Sequence, residues 1–199
     1  MNADAQSTRD RIVAATIVCL ERVGMQGLTI RGIAEEAGVN VAAVNYHFGS
    51  KSQLLEETLR RSRHQEAWAS VGELDQAIQQ AGGDVLAGLV NHLHEFLGNA
   101  INWPRLTEAQ LHEILAGQDY DTPIVSEMNA FALQFADRLR PALPSRSELD
   151  LKLAVAQIWS ALVLLSLLPH VFDEFLGAPM SDPALRRRYV ERLVLGLRS

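Results

Sequence analysis

The sequence predicts an all-α protein. Apolar residues recur three and four apart in nearly every segment, no stretch sustains the alternation of a strand, and capping and helix-stopping residues punctuate the chain at short intervals. Ser7 can cap a first helix whose apolar positions include Ile12, Ala15, Cys19 and Val23, with Gly24 and Gly27 at its end. Thr29 caps a short second helix, IRGIAEEA, that stops at Gly38. Asn40 caps a third, which runs to Phe48 and is ended by Gly49. Ser50 opens a fourth with a capping box, since Gln53 stands three residues on and can return a bond to the Ser50 backbone. Longer helices follow, bounded by Gly82 and Gly83, by Pro104 and Pro123 at first-turn positions, and by Pro141, Pro144 and Pro169. Ile124, Met128, Phe131, Phe135 and Leu139 make one helix face, and Leu185, Tyr189, Leu193 and Leu197 a strip on the last helix. The pattern divides the chain into a compact three-helix module, residues 1–55, and a larger helical bundle, residues 56–199.

Composition narrows the function classes. The 199 residues are 48% hydrophobic, enough for a sizeable core, and 18 Lys plus Arg against 24 Asp plus Glu leave a net charge of -6. No global basic field announces a polyanion partner. The deficit is uneven: residues 1–66 hold 8 basic and 8 acidic side chains, so the remainder holds 10 and 16. The single cysteine, Cys19, excludes an internal disulfide and reads as a small buried side chain. The opening MNADAQSTRDR lacks the pattern of a secretory signal, so a cytoplasmic protein is expected. LAVAQIWSALVLLSLL, residues 153–168, is short of the ~20 apolar residues a bilayer needs, and it continues a helix begun by the charged SELDLK. It reads as a buried helix, and no membrane partner is expected.

Chemistry-bearing clusters are sparse. His92 and His94 stand two apart and point to different helix faces, while Glu108 with His112 offers only two ligands. No phosphate-cradling glycine loop or nucleophile elbow occurs, so no metal, cofactor or enzymatic activity is expected. Arg186, Arg187 and Arg188 fit the solvated side of the last helix.

The segment TIRGIAEEAGVNVAAVNYHF, residues 29–48, fits two helices crossing steeply at a tight turn. Ala34 is small where the third helix would pass over it, Gly38 can take the left-handed turn, and Ile33, Val39 and Val44 can fill the wedge between the helices. The remaining face of the third helix carries Asn40, Val41, Ala42, Ala43, Asn45 and Tyr46. Such small, uncharged side chains would let it lie deep in a groove.

These features, with the first helix TRDRIVAATIVCLERVG and the runs LTIRGIAEEAGV and VNYHFGSKSQLL at their spacing, resemble the DNA-binding module of the TetR family of bacterial transcriptional regulators. The resemblance covers residues 8–55; the rest matches no motif beyond an all-helical layout of suitable length. It implies that Val41, Ala42, Ala43 and Asn45 face base edges, an amide meeting adenine and methyl groups meeting the thymine methyl. Thr29, Arg31, Asn40, Tyr46, His47 and Lys51 would complete the interface, with hydroxyls, backbone N–H groups and charge offered to phosphates. Phe48 would turn inward. Read without the resemblance, Arg31 could pair with Glu35 four residues on, and Asn45 could be a solvated polar residue.

The resemblance further implies a homodimer, because one short recognition helix contacts few base pairs and two-fold dimers read half-sites roughly 34 to 36 Å apart. The expected interface is the apolar helix 149–168 with the strip on 183–197, through Ile158, Trp159, Leu162, Leu165, Tyr189, Leu193 and Leu197. Trp68, His92, Phe96, Trp103, Tyr120, Phe131, Phe135 and Trp159, joined by His94 and Gln157, could line a pocket for a largely apolar effector, although each also suits an ordinary core. The expected function is a repressor that leaves double-stranded operator DNA when that small molecule binds. The rival readings are a helical small-molecule-binding protein or an enzyme without DNA binding.

Overall fold

The computed structural model describes residues 2–65, 71–117 and 120–197, and among these no strand occurs. The helices are α1 (Asn2–Gly27), α2 (Ile30–Ala37), α3 (Val41–Phe48), α4 (Lys51–Gln65), α5 (Val71–Gln80), α6 (Val85–Ala100), α7 (Pro104–Gly117), α8 (Pro123–Leu139), α9 (Glu148–Leu167), the single turn α10 (Asp173–Leu176) and α11 (Pro183–Leu195), with a 3-10 turn over Arg140–Ala142.

Local capping builds the amino-terminal module. The Thr29 hydroxyl oxygen accepts the Gly32 N–H at 3.1 Å, and the Asn40 side-chain oxygen accepts the Ala43 N–H at 2.8 Å, so α2 and α3 each start on their own cap. Gly38 closes α2 at φ 63, and its N–H reaches the Ala34 and Glu35 carbonyls. A β-carbon would be strained there. Arg11 on α1 also donates to the Ala37 and Gly38 carbonyls, at 2.6 and 3.2 Å, so the turn is held from outside as well. Two local expectations need correction. The first helix begins at Asn2, so Ser7 lies within it and caps nothing. At the start of α4 the Ser50 hydroxyl accepts the Gln53 N–H, but the Gln53 side-chain oxygen takes the Ser50 hydroxyl proton instead of the backbone N–H; only half a capping box forms.

Among the described residues, three apolar clusters follow from these placements. Ile12, Val13, Ala15 and Cys19 of α1 pack with Ile33, Ala34 and Ala37 of α2, Val44 and Phe48 of α3, and Leu54 of α4. The other side of α1 sends Leu20 and Ile17 against Leu106 and Ala109 of α7, with Leu55, Leu59 and Trp103 around them. The third and largest cluster joins α5, α6, α8, α9 and α11.

The α9 helix is long and apolar enough to cross a membrane, with mean hydropathy 1.5, yet one side of it is core. Leu151, Val155, Ile158, Trp159, Leu162 and Leu165 turn inward, while Leu149, Leu153, Ala156, Gln157, Ser160, Leu164 and Leu168 form the outward stripe. Most residues expected at a dimer contact lie on the inward side. Ile158, Trp159, Leu162, Leu165 and Leu197 are taken up by the chain's own core, and Tyr189 and Leu193 pack half-buried against it. Arg186 is also not simply solvated: it donates to the carbonyls of His94, Met180 and Ser181, bracing α11 against α6.

At Gly88 the helices α5 and α6 come close together. A β-carbon there would stand 2.6 Å from the Ile78 Cα of α5, a backbone atom that cannot step aside. Gly88→Ala gains helix propensity of about 1 kcal/mol, but overpacking of about 1 to 3 kcal/mol or more should outweigh it. Chemical denaturation is expected to show a lower midpoint for the variant.

Candidate nucleic-acid interface and effector core

On α3, Val44 and Phe48 are buried, at 0% and 7% exposure, and the rest of the helix faces out. Asn40, Val41, Ala42, Asn45 and Tyr46 are exposed, Tyr46 at 85%, with Ala43 and His47 half-buried. The Tyr46 and His47 rings meet edge to face at 5.3 Å, which orients both at the end of the helix. Capping limits what two of the expected contacts can offer. With its oxygen engaged, Asn40 has its amide N–H groups to donate, and Thr29 has its hydroxyl proton. Arg31 pairs with Glu35 at 3.3 Å, both side chains largely exposed. Such a pair is worth ~1 kcal/mol or less and can be exchanged for a phosphate. Lys51 leans on the end of α1, with its Nζ 3.5 Å from the Met25 carbonyl.

The structure adds residues the sequence pattern did not single out. Arg9 lies over the Phe48 ring at 5.0 Å and reaches Glu57 on α4 at 3.3 Å. Glu57 also accepts from Arg60 and Arg61. Partial burial pushes its carboxyl up, but the bonds from Arg61 and Arg60 outweigh that and hold it below the usual carboxylate range. At the other end of α1, Glu21 accepts the Arg105 and Leu106 N–H groups of α7 at 3.1 and 3.2 Å. No local pattern marks either pairing, because the partners lie 48 and 84 or more residues apart.

Of the residues expected in a pocket, His92, Phe96, Phe131, Phe135 and Trp159 come together. Trp159 stands edge-on to Phe96 at 5.3 Å and to Phe131 at 5.1 Å, and His92 lies 6.4 Å from Phe135. Burial lowers the His92 pKa to about 4, and its Nε2 has no hydrogen-bond partner among the described residues. The other expected members are elsewhere: Trp103 packs in the joint between α1 and α7, Tyr120 is 68% exposed, and Gln157 faces outward. Trp68 lies outside the described residues. Among the described residues no group of three or more His, Cys, Asp or Glu side chains is placed to hold a metal ion.

Comparison with known proteins agrees with this architecture. Residues 12–58 match the model of bacterial regulatory proteins of the tetR family. The HTH-type transcriptional regulator BetI of Vibrio vulnificus is 37% identical over 73 residues, 37% of this chain and 37% of that relative's length, so the match spans little more than a third of it. The probable HTH-type transcriptional regulator YttP of Bacillus subtilis is 25% identical across 97% of this chain and 93% of its own. Among solved structures, a putative TetR-family regulator from Mesorhizobium loti superposes with TM-score 0.67 at 16% identity, covering 97% of this chain and 96% of that one. The multidrug binding protein EbrR, complexed with malachite green, superposes with TM-score 0.58 at 23% identity, covering 93% and 96%.

The helix-turn-helix of residues 29–48, with the outer flank of α3 exposed, lies inside the matched segment. Over residues 12–58 the chain is similar to the bacterial regulatory proteins of the tetR family.

The His92 environment sets a pH dependence. Its folded pKa, about 4, lies below the ordinary 6.5, so the unfolded chain binds more protons between those values and stability is lost as pH falls through that window. Between pH 7 and pH 5 the loss from this group should be roughly 2 kcal/mol. His92→Leu is expected to remove that share of the slope in denaturation curves taken at the two pH values.

Proposed function

We propose that the protein is a homodimeric repressor, acting in the cytoplasm, that holds a two-half-site operator and releases it when a small, largely apolar ligand enters the bundle. The observation that carries this reading is α3: a helix anchored by Val44 and Phe48, with small and polar side chains on the rest of its surface. We divide the chain near residue 55, inside α4, into a DNA-binding part and a ligand-binding and dimerisation part.

In this reading Val41, Ala42, Ala43 and Asn45 meet base edges in the major groove. Thr29, Arg31, Asn40, Tyr46, His47 and Lys51 hold the flanking phosphates. Dimerisation runs through α9 and α11, but by the outward stripe Leu149, Leu153, Ala156, Leu164 and Leu168, joined by Leu195 of α11. The effector is received around Phe96, Phe131, Phe135 and Trp159, with His92 as the polar anchor whose Nε2 it would satisfy. The complex of EbrR with malachite green supports a bundle of this fold receiving an aromatic ligand. A ligand that prefers the conformer with misplaced recognition helices lowers operator affinity by its preference ratio, and operator weakens the ligand equally.

Two experiments test the reading. Selection from a random duplex pool should return a paired-half-site sequence. Against it, Lys51→Ala should flatten the salt dependence by about one charge, while Asn45→Ala should relax selectivity at one base pair by about 1 to 3 kcal/mol. Failure to select any sequence overturns the regulator reading. In light scattering at micromolar concentration the wild type should be a dimer, and Leu153→Glu with Leu164→Glu a monomer. A dimer unaltered by both charges would refute the α9 interface.

A further inference from the structure

The helix α7 begins without a cap of its own. Pro104 holds its first position, and the residue before it, Trp103, has no side-chain oxygen to accept the N–H groups of the first turn. The acceptor comes from another element. Glu21, on α1, places Oε2 3.1 Å from the Arg105 nitrogen and 3.2 Å from the Leu106 nitrogen, and its charge lies at the positive end of the α7 dipole. Arg105 returns the contact by donating from Nη1 to the Arg22 carbonyl at 3.1 Å. That carbonyl lies in the last turn before Gly24, at φ 69 and ψ 175, breaks α1. One residue beyond Gly24, the Met25 carbonyl faces Lys51 Nζ. The start of α7, the end of α1 and the start of α4 therefore share one small joint. Glu21, Pro104, Arg105 and Glu108 line an open cleft of about 700 Å³ together with Leu168, Pro169 and His170.

We infer that Glu21 is the positioning residue that sets the angle at which the helix-turn-helix module is carried on the bundle, by capping α7 from α1. The inference rests on the regulator reading and goes beyond it. A movement of the first turn of α7 reaches α1 through two backbone bonds to one carboxylate and through the Arg105 bond to the Arg22 carbonyl, while Gln110 further along α7 meets α4 at Ser62. With the cap intact, both modules of a dimer hold one orientation and one separation. Without it, the Leu20, Leu106 and Ala109 packing, the Arg105 Nη1 bond to the Arg22 carbonyl and the buried Gln110 Nε2 bond to the Ser62 Oγ of α4 still join them, but no acceptor holds the first-turn N–H groups of α7.

The test is selection of paired half-sites with variable spacing from a random duplex pool, using the full chain without effector. The wild type should return one dominant centre-to-centre spacing. Glu21→Ala should return the same half-site sequence over a wider range of spacings, and should bind the wild-type operator roughly ten-fold more weakly, the scale of a lost cap. Glu21→Gln keeps one acceptor oxygen without the charge, so it should fall between the two and serve where Glu21→Ala folds poorly. Val194→Ala, a core change remote from the joint, should lower thermal stability without broadening the spacing. If wild type selects paired half-sites and both Glu21 variants keep its spacing and affinity, the inference is overturned while the regulator reading stands. If the wild type selects nothing, the regulator reading itself has failed. Broadening by Val194→Ala equal to that by Glu21→Ala would also overturn the inference, because spacing would then report stability alone.

Discussion

One helix, α1, has to serve two cores at once, and the rest of the architecture is arranged around that demand. Its Ile12, Val13, Ala15 and Cys19 complete the helix-turn-helix core, and its Ile17 and Leu20 complete the joint to α7. A wall shared in this way cannot offer polar groups to either side without satisfying them itself. Thr16, fully buried, does so by donating its hydroxyl to the Ile12 carbonyl at 2.7 Å. The helix also cannot bend locally to suit one neighbour, because its backbone bonds run unbroken until Gly24. A displacement imposed at α7 is therefore passed to the module bodily. The break at Gly24 limits the shared stretch, freeing the last turn to follow Lys51.

Features fixed by short-range chemistry were readable in the sequence. Thr29, Gly38 and Asn40 each do locally what their side chains or missing side chain predispose them to do, and the wedge of Ile33, Val39 and Val44 follows once those ends are set. Such readings need only a few neighbouring residues. The face of α9 that turns inward was not readable, because a helix apolar nearly all round has no preferred side until its neighbours exist. Trp159 goes inward because Phe96 and Phe131 leave an edge-to-face niche for it, and that niche is assembled from α6 and α8. The Glu21 cap was hidden for a related reason: glutamate in mid-helix looks solvated, and the missing cap of α7 lies 84 residues away. Arg186 was misread similarly, since the carbonyls that bind it belong to α6 and the 180–181 turn.

The charge ledger of the amino-terminal module bears on how such an acidic protein would hold a polyanion. Most of its cations are already engaged. Arg9, Arg60 and Arg61 converge on Glu57, Arg22 pairs with Glu36, Arg31 with Glu35, and Arg11 is held by the carbonyls that end α2. The first of these groups ties α1 to α4, and its partly buried members would leave Glu57 exposed to its desolvation if withdrawn. Among the described residues, the exposed Arg31 pair and Lys51 are redirected at least cost. The proposed interface therefore leans on neutral donors: the Thr29 and Tyr46 hydroxyls, the Asn40 amide and the backbone N–H groups at the starts of α2 and α4. Neutral donors displace few counterions, so their contribution to binding depends on geometry more than on salt. In the proposed dimer, a contact made by geometry would be lost when the two modules are held at the wrong separation, and that sensitivity would make the joint at the end of α1 an effective place from which to release DNA.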